Sequence, residues 1–240
     1  LSVAYHWENS GTVIGSGSSY TVSANDTDVG DTIWCYATAT DVQGFAATSS
    51  ASINIDNTAP TISNIEINNG QSIYNDSTAT CSATLSDPDD TPIASYEWSL
   101  NGSLLGTGAS IDLINYTPQY GDTLTCTVSA TDPQGLSSVD SMDTTIENRA
   151  PIGPTISLTP ANPVEGQDDL VCSITGNGSD DDGDPVTYSF SWMVDTVPFT
   201  NSSNAASSST IPASETTSGE EWICLVTPND GITDGTPTTE

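Results

Sequence analysis

The chain has 240 residues, of which 32 are acidic and one, Arg149, is basic, giving a formal charge of −31. This balance excludes the basic footprint that nucleic-acid phosphates or anionic lipid surfaces require, and the absence of lysine excludes lysine-based catalysis and isopeptide links. No run of about 18 apolar residues is present to enter a membrane. Hydrophobic residues make up 35% of the chain, while Ser and Thr number 69. Disordered acidic tails share that bias. Here, however, five Trp and eight Tyr recur at fixed places among alternating β-branched residues. A disordered tail keeps no such period.

The period is 91 residues, from Trp7 to Trp98. Gly30-Asp31 and Gly121-Asp122, Cys35 and Cys126, Asp41 and Asp132, Gly44 and Gly135, Pro60 and Pro151, and Cys81 and Cys172 keep the same spacing. A third copy follows with small insertions, Trp192 answering Trp98 and Cys224 answering Cys126. The expected domains are 1–60, 61–151 and 152–240, of which the middle one is complete. The first lacks its N-terminal strands and the third its last strand. The chain thus reads as an excerpt of a longer tandem array. The alternative is a subunit whose end domains are finished by strands from neighbours.

In chain order, the middle copy is expected to be all-β. Thr61 to Ile67 is a first strand. Thr78 to Ser86 is a second, with Cys81, Ala83 and Leu85 on one face. Ser95 to Leu100 aligns Tyr96, Trp98 and Leu100, and Asn101-Gly102 then turns the chain. Ala109 to Ile114 turns Ile111 and Leu113 inward. Thr123 to Thr131 puts Leu124, Cys126, Val128 and Ala130 together, and Ser137 to Glu147 closes the domain. About seven short strands with turns between them make a β-sandwich.

Cys81 and Cys126 are separated by 45 residues with Trp98 between them; Cys172 and Cys224 are separated by 52 with Trp192 between them. These residues, the stretch Gly121-Asp122-Thr123-Leu124-Thr125-Cys126 and the linker Asn148-Arg149-Ala150-Pro151 carry a resemblance. The whole chain resembles the tandem immunoglobulin-like, PKD-like and cadherin-like repeats of large prokaryotic extracellular surface proteins. Antibody domains carry Tyr two residues before the second Cys; here Ile33, Leu124 and Trp222 stand there, which favours the prokaryotic repeats. The resemblance implies disulfides Cys81–Cys126 and Cys172–Cys224, cores around Trp7, Trp98 and Trp192, and an oxidising exterior. Cys35 is left unpaired. No two cysteines lie within five residues of each other, which argues against a thiolate metal site.

The acids cluster. Asp87-Pro88-Asp89-Asp90 follows the Cys81 strand, and Asp180-Asp181-Asp182-Gly183-Asp184 follows the Cys172 strand. Asp132 and Asp230 follow the later cysteines, and Asp56-Asn57 and Glu147-Asn148 precede the linker prolines. In an immunoglobulin-like sandwich these loops share one end with the incoming linker. Asp56, Asn57, Asp87, Asp89, Asp90 and Asp132 are therefore expected to meet at a first junction. Glu147, Asn148, Asp180, Asp182, Asp184 and Asp230 are expected to meet at a second. Hard cations take six to eight oxygens of this type, so Ca2+ at each junction is the expected cofactor. A solvated acidic face without an ion is the competing expectation.

Asn-x-Ser/Thr sequons occur at Asn25, Asn75, Asn101, Asn115, Asn177 and Asn201, each a possible glycosylation site. His6 is the only histidine, and the paired acids recur in every copy, so no enzyme is expected. The expected role is that of structural extender repeats of an extracellular surface protein, filament or adhesin. The expected partners are neighbouring repeats or copies of itself. The alternatives are a filament or surface-layer subunit completed by strand exchange, and a module that binds a surface glycan or protein. Tyr116 and Tyr120 are the aromatic candidates for such a module.

Overall fold

Runs of alternating Val, Ile, Thr and aromatic residues, cut by Gly, Asn, Asp and Pro, favour strands over helices. A computed structural model describes residues 1–240, Ser203 by its backbone alone, and it is all-β. Among the described residues no helix is long and apolar enough to cross a membrane. The chain divides into two compact units. The first holds Leu1–Gln71, Thr78–Asp112 and Thr123–Thr144; the second holds Ser72–Ser77, Leu113–Asp122 and Thr145–Glu240.

The first unit opens with β1 (Ser2–Asn9), β2 (Thr12–Ser16), β3 (Thr32–Thr40) and β4 (Ala46–Asn54), which form one antiparallel sheet in the order β2-β1-β3-β4. Ser10 and Gly11 turn β1 into β2 with φ of 49° and 81°, the primed hairpin geometry that suits strand twist. Across β1 and β3 the register sets Trp7 opposite Cys35 and Tyr5 opposite Ala37. Trp7 is half-buried. Its indole N–H donates to Gly17 O at 3.0 Å, and Tyr20 lies 5.9 Å away. Tyr20 can sit there because Gly15 has no Cβ, which would stand 2.7 Å from the ring.

The chain continues through β5 (Thr61–Ile67), β6 (Thr78–Ser86), β7 (Ile93–Leu100), β8 (Ser103–Thr107), β9 (Ser110–Asp112), β10 (Thr123–Thr131) and β11 (Ser137–Thr145). Two sheets result, β11-β10-β7-β8 and β5-β6-β9. Cys81 on β6 and Cys126 on β10 join them through a disulfide. Trp98, Leu124, Cys126, Val128 and Ala130 are fully buried, so the alternation read from the sequence faces inward as expected. This is an immunoglobulin-like β-sandwich.

Two details differ from the expected strands. Ser103–Thr107 pairs with β7 through an irregular register at Trp98/Ser99, and its Leu-Leu-Gly run hides the alternation. The expected strand 109–114 is shorter. It ends at Asp112, because Leu113 N bonds to Ser77 O and Tyr116 N bonds back to Leu113 O, closing a 3₁₀ turn.

The second unit holds β12 (Thr155–Thr159), β13 (Leu170–Gly176), β14 (Thr187–Val194), β15 (Val197–Phe199), β16 (Ser203–Asn204), β17 (Ser208–Ile211), β18 (Trp222–Asn229) and β19 (Thr238–Thr239). They form the sheets β12-β13-β17-β16 and β15-β14-β18-β19, joined by Cys172–Cys224. Their core is Leu170, Trp192, Ile211, Val226 and the disulfide. In this unit Ile73 also bridges Ile146, and Glu147 N bonds to Ile73 O, so residues 72–77 are tied to the start of the second linker.

Candidate functional sites at the two linkers

The disulfide pairs read from the resemblance are both formed, and Cys35 is free. Trp98 and Trp192 are at most 1% exposed. Trp7 was expected as a third core residue and is only half-buried, because among the described residues its sheet has no second sheet facing it. That face is only partly covered: Ile33 is 1% exposed, but Val3 is 50% exposed and Ile53 65%.

At the first linker, Asn57 Nδ2 donates to Asp132 Oδ2 at 2.7 Å, and Thr58 N donates to Asp89 Oδ2 at 2.7 Å. Asp87 Oδ1 gathers its own loop by accepting from Asp89 N (2.8 Å) and Asp90 N (3.2 Å). Asp132 is buried, and burial pushes its carboxyl up. Hydrogen bonds from Asn57 and from the amides of Leu136, Gly135 and Gln134 outweigh that and hold it below the usual carboxylate value. Three oxygens remain buried with no hydrogen-bond partner: Asn57 Oδ1, Asp87 Oδ2 and Asp90 Oδ2.

The second linker repeats the plan. Asn148 Nδ2 donates to Asp230 Oδ2 at 2.8 Å, and Arg149 N donates to Asp182 Oδ2 at 2.5 Å. Asp180 Oδ1 accepts from Asp182 N at 2.8 Å and Asp184 N at 3.4 Å. Asn148 Oδ1 and Asp180 Oδ2 are buried without partners. For Asp230, burial pushes the carboxyl up, but the bonds from Asn148 and nearby amides prevail and lower it. Asp184 goes the other way: burial, then the charges of Asp180, Asp230 and Asp182, push it up. A polar cavity of about 130 Å³ lies here, lined by Asn75, Tyr120, Glu147, Asn148, Asp182 and Asp184.

One part of this site was not anticipated from the sequence. The Arg149 guanidinium bonds Asp182 Oδ1 at 2.9 Å and Asp76 Oδ1 at 2.6 Å, and it lies 4.2 Å from the centre of the Tyr74 ring. Asn75 Nδ2 donates to Asp182 O. The only available signal was that the one basic residue of the chain falls inside a linker.

The convergence is narrower than expected. Among the described residues no three His, Cys, Asp or Glu side chains form a group able to hold a metal by themselves. Asp56 is exposed, and Glu147 is exposed at the cavity wall. What the two linkers share is a set of buried amide and carboxylate oxygens lacking donors. Such oxygens are costly to bury unpaired, and their hard-donor chemistry fits a cation such as Ca2+. Asn57, Asp87 and Asp90 would hold it at the first linker, and Asn148 and Asp180 at the second.

Among the sequons, Asn25, Asn101, Asn115, Asn177 and Asn201 are exposed, whereas Asn75 is half-buried and engaged with Asp182. Tyr120 is 58% exposed and Tyr116 36%. A separate aromatic row was missed: His6, Tyr36 and Trp34 stack along the first sheet, 4.9 and 6.4 Å apart, with His6 paired to Glu8 at 3.3 Å. The row was hidden because its members come from two strands and meet only through register.

No protein-family pattern matches the chain, and no curated protein does. Several solved structures are similar to it. A 1.5-MDa bacterial ice-binding adhesin, studied for host cell surface retention, is 14% identical over 99% of this chain and 83% of its own, with a TM-score of 0.35. A segment of titin is 14% identical over 98% of this chain and 86% of its own, with a TM-score of 0.38. A Ca2+-stabilized adhesin that helps an Antarctic bacterium reach out and bind ice is 16% identical over 99% of this chain and 63% of its own, with a TM-score of 0.34. Each is a likeness of fold alone.

Proposed function

We propose that the chain is a structural spacer: extender repeats, 1–60, 61–151 and 152–240, of a long extracellular surface protein, filament or adhesin. The reading is non-catalytic. Each repeat is a short rigid rod, and repetition gives reach. The disulfides suit an oxidising exterior, and the net charge of −31 keeps such an array soluble. Ca2+ at the two linkers limits bending.

The observation that carries this reading is the set of buried, partnerless oxygens at corresponding places in both linkers: Asn57 Oδ1 with Asp87 Oδ2 and Asp90 Oδ2, and Asn148 Oδ1 with Asp180 Oδ2. A cation bound there stabilises the folded chain in proportion to its occupancy. The test is a thermal melt with EDTA and with calcium restored, beside small-angle scattering and calcium calorimetry. The reading expects calcium to bind, to raise the melting temperature and to narrow the distribution of lengths. A chain that ignores EDTA in every measurement contradicts it.

One observation favours a second reading, a self-assembling subunit completed by another chain's strands. Cys35 is free, on the partly covered apolar face of a sheet that pairs with no second sheet among the described residues. Cys126 and Cys224 hold the same register opposite Trp98 and Trp192, and each is bonded to a facing sheet. Under this reading oxidation yields a disulfide-linked oligomer through Cys35 on a non-reducing gel. A chain that stays monomeric under oxidising conditions rejects it.

A further inference from the structure

The linkers share a template, yet one position divides them. Asp56-Asn57-Thr58-Ala59-Pro60 stands against Glu147-Asn148-Arg149-Ala150-Pro151, so Thr58 in the first is Arg149 in the second. Both residues donate their backbone N–H to the middle acid of the neighbouring loop, Asp89 and Asp182. Only Arg149 adds a charge. Its guanidinium forks between Asp182, whose side chain is 6% exposed, and Asp76, 45% exposed. It also packs on Tyr74, where a cation and a ring face attract. The planar fork suits this two-carboxylate grip in a way an ammonium would not. The hydrogen bond and charge of Arg149 hold the Asp76 carboxyl low, and Asp76 raises Arg149 in return.

The consequence lies in which segments are joined. Tyr74, Asn75 and Asp76 precede β6, while Asp180 to Asp184 follow β13, and all belong to the second unit. Arg149 therefore ties a loop of the middle repeat to a loop of the third through the linker between them. Asn75 reinforces the tie from its own side chain. At the first linker the acids Asp87, Asp89 and Asp90 have no basic side chain, because the chain contains no other Lys or Arg.

We infer that Arg149 is a built-in counter-cation, which keeps the second linker closed even when its divalent ion is removed, while the first linker opens without one. This rests on the proposed calcium reading for the first linker only. The clamp at the second is a matter of residues Tyr74, Asp76, Arg149 and Asp182. Since charge-assisted hydrogen bonds that are partly shielded contribute measurably, the two linkers should open with different sensitivities to the same chelator.

The test is amide hydrogen exchange by mass spectrometry on the full chain, with calcium and with EDTA, for the wild type, Arg149→Thr and Arg149→Lys. Exchange reports local opening directly. In the wild type, EDTA is expected to speed exchange around Thr58 and Asp87–Asp90 by about tenfold, with a change of less than about threefold around Arg149 and Asp180–Asp184. In Arg149→Thr the second linker should match the first in its response, with calcium restoring protection. Arg149→Lys should be intermediate, since the charge is kept and the fork is lost. An equal response of both linkers in the wild type overturns the inference, as does a second linker that Arg149→Thr leaves unchanged. If EDTA moves neither linker and calorimetry finds no calcium, the spacer's calcium reading fails. The clamp is then judged on Arg149→Thr alone, which must speed exchange at the second linker in any buffer. The far-ultraviolet spectrum and the melt of each variant show that it is folded.

Discussion

The sheets β2-β1-β3-β4 and β11-β10-β7-β8 follow one template and differ in what faces them. Both begin with a Trp strand, turn through a residue pair at positive φ, and set that Trp opposite a Cys. In the middle repeat a second sheet covers the face, the Cys is bonded and Trp98 is fully buried. In the first repeat no second sheet faces it: Ile33 is buried, but Val3 and Ile53 are exposed, Cys35 is a thiol and Trp7 is half-buried. Strand pattern and register are thus local properties, whereas a core needs a second layer. An alternating strand is only half of a hydrophobic site.

The largest test of this contrast is at the Trp–Cys pair. Trp98→Ala should cost about 3–5 kcal/mol, and Cys126→Ala about 4 kcal/mol, the chain-entropy value for closing a loop of 45 residues. Trp7→Ala should cost roughly 1–2 kcal/mol, in line with partial burial, and Cys35→Ala close to nothing. Denaturant titrations of the four variants measure this. Equal losses at Trp7 and Trp98 would mean that the first sheet is covered in solution, which would break the contrast.

Acid comes next in size. Asp132, Asp230 and Asp76 are held below the usual carboxylate value, so each contributes stability above the unfolded value near 4 that is lost as pH falls through the folded one. Asp184 is raised, so its contribution has the opposite sign: ionising it above the unfolded value weakens the fold. Lowering the pH from about 4 to 2 should therefore loosen both linkers before the disulfide-bonded cores. Asp184→Asn should raise the melting temperature at neutral pH in EDTA. Linkers that survive acid as well as the cores do would contradict the hydrogen-bond account.

The smallest effect concerns the hairpins. The middle repeat turns at Asn101 and Gly102 with φ of 49° and 78°, and the third at Asp195 and Thr196 with φ of 50° and 69°. A β-branched residue at positive φ is strained. Thr196→Gly should stabilise by about 1 kcal/mol, seen as a shift in the denaturant midpoint. Gly102→Thr should do the reverse.

Much of the fold could be read from residue order. The strands Thr61–Ile67, Thr78–Ser86 and Thr123–Thr131 form where alternation places them, because a two-residue period is written directly in a sequence. The Cys-Trp-Cys order carried the resemblance that implied both disulfides. Ser103–Thr107 was missed, since its alternation is broken and its pairing depends on β7. The linker acids were found as clusters, but their partners were not. Asp56 lies outside the network, and Asp76 and Tyr74 lie inside it without any pattern to announce them.

The cysteine pairing came through the resemblance; residue order alone yields the all-β class, the repeat and the places where acids accumulate. These depend on period, spacing and composition, which are properties of neighbours along the chain. The folded chain alone shows which oxygens lose their partners, how far the first sheet is covered and where the single guanidinium goes. Burial and hydrogen bonding depend on segments distant in sequence: Asn57 meets Asp132, Asn148 meets Asp230, and Arg149 meets Asp76 only after the sheets have formed.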